Sequence, residues 1–100
     1  MSVRSLPEDG DALLWAIKEI LEAMTQEWDR ETGEEITGET RLIKDLGFES
    51  IDVVQFIVAI EERFGRRGLP YEEFLMVDGR YVDEIHVKDV VDFLRKHLYT

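Results

Sequence analysis

Ser50 is the residue whose neighbours in the sequence most strongly suggest chemistry. It follows the turn-rich stretch 45–49 and precedes the apolar run 53–60, so the sequence predicts a hydroxyl at the N-terminus of a helix. Carboxylates surround it, whereas the two histidines of the chain, His86 and His97, lie far along the sequence. A catalytic serine needs a positioned base and an oxyanion site. The pattern therefore favours a serine that is modified over one that attacks a substrate.

Other catalytic and metal-binding signals are absent from the sequence. It contains no G-x-S-x-G elbow, no phosphate-binding P-loop and no H-E-x-x-H zinc motif. The chain has no cysteine, which excludes disulfides, thiolate metal sites and cysteine nucleophiles. Asp78 and Gly79 begin no calcium loop, because the alternating oxygen ligands are missing around them. We therefore expect no metal site, no catalytic residue and no enzyme activity.

Composition and charge restrict the class of partner. The chain has 100 residues, enough for one domain spanning 1–100, and carries a net charge of −11. Such a surface repels nucleic acid and anionic membranes and attracts a basic patch, although solubility alone explains it about as well. No stretch approaches the roughly 20 apolar residues of a membrane span, and the first residues lack the apolar region of a signal peptide. We expect a cytoplasmic monomer with no membrane insertion.

Three segments have the periodicity of amphipathic helices: about 9–29, 50–64 and about 87–98. The first presents one apolar face, with Trp15 on the opposite side, and its members recur at three- and four-residue spacings. They are Leu13, Leu14, Ile17, Ile20, Leu21, Met24 and Trp28. The intervening loop, 30–49, contains apolar residues that can attach it to the core. These are Ile36, Leu42, Ile43, Leu46 and Phe48.

The second predicted helix, 50–64, is too apolar for a simple surface helix. One apolar strip faces the expected core, and Ile51, Val54 and Val58 form a second strip. Either the second strip is buried against a third helix, or it is exposed beside acidic residues as a docking surface. The residue pattern leaves both alternatives open.

The stretch between the last two long helices contains short-range turn signals. Gly65 and Gly68 suit a helix C-cap, and Pro70 suits the first turn of a short helix. Asp78 and Gly79 form a two-residue hairpin signal. Such a turn places Val77 opposite Arg80 and Met76 opposite Tyr81. The sequence thus predicts an all-α bundle of three main helices and a short one, with a possible small hairpin or tight turn at about 74–83.

The centre of the chain resembles a known family. Acyl carrier proteins have a phosphopantetheine attachment region and a recognition helix that are similar, without a gap, to residues 45–65, DLGFESIDVVQFIVAIEERFG. The flanking helices also fall where that family has them, so the resemblance covers about residues 13–98. It implies an acyl-carrier-protein-like four-helix bundle.

The resemblance implies a function for Ser50. Its hydroxyl would carry covalent 4′-phosphopantetheine, transferred from coenzyme A by a carrier-protein synthase, a phosphopantetheinyl transferase. The thiol of that arm would hold an acyl group for acyl-loading and acyl-processing enzymes of fatty-acid, lipid or secondary-metabolite synthesis, including polyketide synthesis. A phosphate at a helix N-terminus also meets free N–H groups and the positive end of the dipole.

The family also implies a docking surface on the second helix. Partner enzymes with basic patches are expected to recognise its acidic residues, and the second apolar strip matches the family's contact positions, which favours exposure. The residues implied are Asp45, Glu49, Ile51, Asp52, Val54, Val58, Glu61 and Glu62. Core residues of this helix could open to shelter an acyl chain.

Three departures from the family pattern indicate a specialised carrier. The usual triplet D-S-L is Glu49-Ser50-Ile51 here, and Gln55 and Arg63 replace acids usual on the helix. The connection 65–86 is longer than in a typical fatty-acid carrier. Two alternatives to an acyl carrier remain: an aminoacyl or peptidyl carrier, although the paired glycine common near the serine of peptidyl carriers is missing, and an unmodified carrier-like interaction domain.

Overall fold

The computed structural model describes residues 10–26 and 35–98. Within these residues four helices and one hairpin occur in chain order, which confirms the predicted, mostly helical fold class. They are α1 (Gly10–Thr25), α2 (Ser50–Phe64), α3 (Glu72–Leu75), β1 (Met76–Val77), β2 (Arg80–Tyr81) and α4 (Val87–Leu98). No helix in the described part of the chain is long and apolar enough to cross a membrane.

The first helix is shorter than its periodicity predicts. α1 ends at Thr25, whereas apolar spacing extends the prediction to about residue 29. The Thr25 hydroxyl donates to the carbonyl oxygen of Leu21 at 2.9 Å. Side-chain to backbone bonds of this kind slightly destabilise a helix. Trp28, predicted on the apolar face, lies outside the described residues, as do residues 30–34 of the predicted loop.

The core forms where α1 packs against α4 and α2. Side chains from all three helices are fully or almost fully buried, and the loop before α2 adds several more. The core comprises Leu13, Ile17, Ile20, Leu21, Ile36, Leu42, Leu46, Phe48, Phe56, Ile60, Ile85, Val87, Val90, Val91, Phe93 and Leu94. Each such side chain contributes roughly 1.5 to 3 kcal/mol relative to exposure, so burial of these faces is the main stabilising term.

The loop 35–49 is held in place by backbone hydrogen bonds to the segment before α4. Leu42 N–H donates to the Ile85 carbonyl oxygen at 2.9 Å, and Val87 N–H donates to that of Thr40 at 2.9 Å. Ile43 was expected to attach the loop to the core, but 38% of it is exposed. Its N–H donates to the Glu84 carboxylate, in the segment before α4, at 2.8 Å, so its backbone and not its side chain attaches this part of the loop.

The hairpin has the predicted register. Met76 pairs with Tyr81 and Val77 with Arg80, which confirms the pairing expected from the Asp-Gly turn. Both turn residues have positive φ, 54° at Asp78 and 79° at Gly79, as a type I′ turn requires.

Aromatic contacts attach the hairpin and α3 to the helical bundle. The rings of Phe74 and Phe93 meet edge to face at 4.9 Å between centroids, and Tyr71 lies 5.5 Å from Phe93. The Tyr71 hydroxyl donates to Glu61 Oε2 of α2 at 3.3 Å. A two-stranded hairpin is marginal by itself, so this cluster supplies the support that it needs.

We predict that Tyr71 makes stability fall at alkaline pH. Burial and the adjacent Glu61 carboxylate raise the pKa of Tyr71 from 10.0 to about 12. The unfolded chain therefore loses this proton near pH 10 while the folded protein keeps it, so stability falls as the pH rises from 10 to 12. Tyr71→Phe should be less stable by about 1 kcal/mol at pH 8 because it lacks the hydrogen bond, and this difference should narrow above pH 10.

Denaturant unfolding of both proteins at pH 8, 10 and 11 measures that difference. Tyr81→Phe, on the exposed hairpin, is the control and should follow the unsubstituted protein. A difference that stays constant from pH 8 to 11 would contradict the role assigned to Tyr71.

Candidate functional site

Ser50 is the first residue of α2 and its side chain is exposed. Glu49 precedes it as the N-cap, with extended backbone at φ −109° and ψ 177°. The Glu49 N–H is bound by the Asp52 carboxylate at 2.8 Å, while the N–H groups of Ser50 and Ile51 have no hydrogen bond among the described residues. The helix therefore presents a hydroxyl and free backbone donors at the same end.

The segment just before Ser50 is anchored by an aromatic residue. Phe48 is buried, and its ring meets that of Phe56 edge to face with centroids 6.1 Å apart. Its N–H donates to the Leu42 carbonyl oxygen at 3.0 Å. The chain thus leaves the core only two residues before Ser50, which restricts where the hydroxyl can lie.

Arg41 and Asp45 close the turn within this loop. The guanidinium donates to both carboxylate oxygens, at 3.1 Å from Nε and 2.9 Å from Nη2, and the Arg41 N–H adds a bond of 2.8 Å. These bonds, the side-chain ones first, hold the pKa of Asp45 below its usual range. Asp45, predicted to meet partners, therefore also has a structural contact inside the chain.

Glu84 is a positioning residue that sequence reasoning missed. Its carboxylate accepts backbone N–H groups from Ile43 at 2.8 Å, Lys44 at 2.9 Å and Ile85 at 3.0 Å. It thereby joins the loop before Ser50 to the strand-like segment before α4. Because Glu84 is 41 positions from Ile43, no local pattern indicates this contact.

A groove of about 590 Å³ begins beside Ser50. α2, the loop before it and the residues around the hairpin form its walls, and most of the lining side chains are apolar. The lining residues are Ile43, Phe48, Glu49, Ser50, Val53, Val54, Ile57, Leu75, Tyr81, Val82 and Ile85. Volumes of roughly 300 to 1,000 Å³ with few polar groups are usual for small-ligand sites. The groove could therefore hold a flexible apolar chain attached nearby.

The second apolar strip of α2 is exposed, which decides between the two alternatives that the residue pattern left open. Ile51 is 57% exposed, Val54 54% and Val58 47%. No described element covers these three side chains. They form a row on the helix that begins at Ser50, because residues spaced by three and four share one helix face.

The acidic residues of α2 divide into two groups. Glu49 and Glu62 are exposed, and no ion pair involves them within the described residues. Glu49 nevertheless forms a capping box with Asp52, in which each carboxylate faces the N–H of the other residue. Glu61 Oε2 accepts from Gly68 N–H and the Tyr71 hydroxyl, each at 3.3 Å. The residues with such contacts, Glu49, Asp52 and Glu61, therefore also stabilise the ends of α2.

Arg63 contacts α1. Its guanidinium lies 2.9 Å from the Glu19 carboxylate and 5.9 Å from the centre of the Trp15 ring. Trp15, predicted on the side of α1 opposite its apolar face, thus contacts α2 while remaining 57% exposed. The basic residue that departs from the family pattern connects two helices.

Neither histidine is hydrogen-bonded to Ser50 within the described part of the chain. His97 Nε2 lies 2.9 Å from Glu73 Oε1, and His86 Nδ1 lies 3.6 Å from Asp89 Oδ2. The same described residues contain no group of three or more metal-binding side chains. Among the described residues, therefore, neither histidine is placed to serve Ser50 as a base.

Comparison with known proteins gives consistent similarities. The family model described as "Phosphopantetheine attachment site" matches residues 17–68, a range that includes Ser50. An acyl carrier protein of Coprothermobacter proteolyticus is 37% identical over 67 residues, covering 67% of this chain and 72% of that protein. An acyl carrier protein of Helicobacter pylori is 34% identical over 79 residues, covering 79% of this chain and 91% of the relative.

We predict that Glu84→Ala loosens the loop that precedes Ser50. Three backbone N–H groups lose their acceptor in this variant. Because Ile43 and Lys44 are exposed, water can accept from some of these N–H groups instead. The free energy of unfolding should therefore fall by about 1 to 2 kcal/mol. Denaturant unfolding measures this loss, and amide hydrogen exchange should become faster at Ile43 and Lys44. Asp83→Ala, which removes the neighbouring exposed carboxylate, should change stability by less than about 0.5 kcal/mol. Equal effects of the two substitutions would contradict the assignment.

Proposed function

The chain belongs to the acyl carrier protein family, and we propose that Ser50 is the residue that carries its phosphopantetheine group. The function is that of a carrier, and the cofactor is phosphopantetheine. The observation that supports Ser50 most directly is its position: an exposed hydroxyl at the first residue of α2, beside the groove and inside the family match.

The described residues fit such a group. The free N–H groups of Ser50 and Ile51 and the positive end of the α2 dipole favour a phosphate at this point. The nearby carboxylates of Asp45, Glu49 and Asp52 oppose it, but Arg41 binds the first, and the other two form a capping box with backbone N–H groups. Their repulsion of a phosphate is reduced accordingly.

Ser50 would supply the oxygen of the new phosphodiester, while the phosphoanhydride bond of coenzyme A breaks and adenosine 3′,5′-bisphosphate leaves. The hydroxyl proton would pass to the transferase or to water. When bound, the arm supplies a thiol that holds an acyl group as a thioester. The apolar walls of the groove, including Val53 and Ile57, offer a place where such an acyl chain avoids water. Both histidines are bound elsewhere in the described part of the chain, His97 by Glu73 and His86 beside Asp89, so neither is placed for chemistry at Ser50. This arrangement supports a protein that other enzymes act on.

The partners of this family include phosphopantetheinyl transferase and acyl-processing enzymes. We propose that they dock on the exposed strip Ile51, Val54 and Val58, with the exposed carboxylate of Glu62 at its side. A net charge of −11 would speed the encounter with basic patches, and the apolar strip would supply contact area. Asp45, Glu49, Asp52 and Glu61 would contribute less, because each already has a contact inside the chain.

The setting that we propose is a cytoplasmic, monomeric carrier of a specialised lipid or secondary-metabolite pathway. The triplet Glu49-Ser50-Ile51, which differs from the usual D-S-L of the family, supports this proposal. The structured connection that contains α3 and the hairpin also supports it. No observation favours an aminoacyl or peptidyl cargo or an unmodified interaction domain. Both become outcomes of the experiments below.

We predict that Ser50 is the site of modification. Incubation with coenzyme A and a broad-specificity phosphopantetheinyl transferase should raise the intact mass by one phosphopantetheine. Ser50→Ala should remain unmodified because it lacks the acceptor oxygen, whereas Thr37→Ala, which removes another exposed hydroxyl, should be modified normally. An unmodified parent protein would instead favour the interaction domain, and loading by an amino-acid-activating enzyme in preference to an acyl-loading enzyme would favour an aminoacyl carrier.

We predict that Val58→Lys impairs recognition without unfolding the protein. Val58 is 47% exposed, so lysine should be tolerated, yet it places a charge in the middle of the proposed docking strip. The kcat/KM of phosphopantetheine transfer should fall roughly tenfold, mainly through KM. Ala23→Lys, an exposed position on α1, makes the same change in net charge and should leave kcat/KM nearly unaltered. If the two variants are equally impaired, net charge and not the strip governs docking.

A further inference from the structure

The hairpin forms part of the wall of the groove beside Ser50. Leu75, Tyr81 and Val82 line that groove, although all three lie beyond residues 17–68, the range of the family match. The remaining lining residues belong to α2, to the loop before it, or to the segment before α4. A segment outside the matched region therefore shapes the space into which an attached chain would extend.

Tyr81 is the most exposed part of this wall. Its side chain is 77% exposed, more than any other large apolar or aromatic residue in the described ranges. Its ring makes no aromatic contact and its hydroxyl no hydrogen bond within those ranges. A large ring that lines an apolar groove and is still exposed has apolar area left to bury.

The two faces of the hairpin differ in what they border. Cross-strand partners share a face, so Tyr81 lies with Met76, and Val77 lies with Arg80 on the other side. Val77 borders a second cavity of about 380 Å³ in which charged side chains are frequent. The lining residues of that cavity are Glu73, Phe74, Val77, Val82, Glu84, Asp89, Asp92, Phe93 and Lys96. Charged walls suit an apolar chain poorly, so only the Tyr81 face is suited to one.

The position of the Tyr81 face is set by contacts that do not involve its own side chain. The Asp78-Gly79 turn fixes the register, and Val82 N–H donates to the Leu75 carbonyl oxygen at 2.8 Å. The aromatic contacts of Phe74 with Phe93 hold α3, and with it the hairpin, on α4. Truncation of Tyr81 therefore removes the ring without removing the wall.

We infer that Tyr81 is a specificity-determining residue whose ring covers the acyl chain carried on Ser50. The ring thereby limits the positions that this chain can take in the groove. The inference rests on the proposed function, because it requires an acyl group attached at Ser50. Covering the chain buries apolar area of the ring and of the cargo together, while the phenolic hydroxyl stays at the water-exposed edge. The ring and not the hydroxyl is the part that acts.

The test uses an octanoyl group as the probe. The parent protein and the variants Tyr81→Ala, Tyr81→Phe and Val77→Ala are loaded from octanoyl-coenzyme A by a broad-specificity transferase, and loading is verified by intact mass. Nuclear Overhauser contacts between the Tyr81 ring protons and the octanoyl chain are then sought by NMR, and thioester hydrolysis is timed at pH 8. Tyr81→Thr, with a side chain favoured in strands, repeats the truncation if the alanine variant does not fold.

We expect contacts between the ring and the chain in the parent protein. The thioester of Tyr81→Ala should hydrolyse roughly two- to tenfold faster, the factor that corresponds to loss of one aromatic contact. Tyr81→Phe and Val77→Ala should match the parent. Absence of those contacts, together with equal hydrolysis in Tyr81→Ala and the parent, overturns the role of Tyr81 and leaves Ser50 loading intact.

Two further outcomes would also overturn the role inferred for Tyr81. Equal acceleration by Val77→Ala and Tyr81→Ala would mean that the hairpin merely loosens, which overturns the inference. Failure of every protein to accept the octanoyl group on Ser50 overturns the proposed function and the inference together. The mass measurement separates that outcome from all the others.

Discussion

The set of backbone hydrogen bonds between the loop before α2 and the segment before α4 is the constraint on which the site depends. Leu42 bonds to Ile85 and Val87 bonds to Thr40, while the Glu84 carboxylate binds two further N–H groups of the loop. Without this attachment the loop would be held by its buried side chains and by exposed ion pairs to α1 and α4. With it, the start of α2 and the hairpin side of the groove are fixed relative to one another.

The charges of the chain are arranged less uniformly than its net charge suggests. Asp45, Asp52 and Glu61 each bind a donor within the chain, so part of the acidic surface stabilises turns and helix ends. Arg63 is likewise engaged with α1, through Glu19 and Trp15. The exposed carboxylates that flank the apolar strip are therefore few, and recognition of this carrier would depend on shape and apolar contact as well as on charge.

The connection between α2 and α4 is an ordered part of the fold. A local Asp-Gly turn sets the hairpin, and the aromatic side chains Tyr71 and Phe74 attach it to Phe93 of α4. The additional residues thus form one wall of a groove whose other walls come from α2 and its preceding loop. The shape of the groove beside Ser50 therefore depends on this connection as well as on α2.

Features that depend on residues close in sequence could be predicted from the sequence itself. Apolar periodicity placed α2 and α4, and turn chemistry set the hairpin register, because three- and four-residue spacing and positive φ are local requirements. The same periodicity predicted an end of α1 beyond Thr25, because apolar spacing carries no information about the competing side-chain hydrogen bond of Thr25. Only the tertiary structure decided that the strip of α2 is exposed, that Glu84 holds the loop of Ser50 and that Tyr81 borders the groove. These depend on contacts between residues tens of positions apart, which no local pattern encodes.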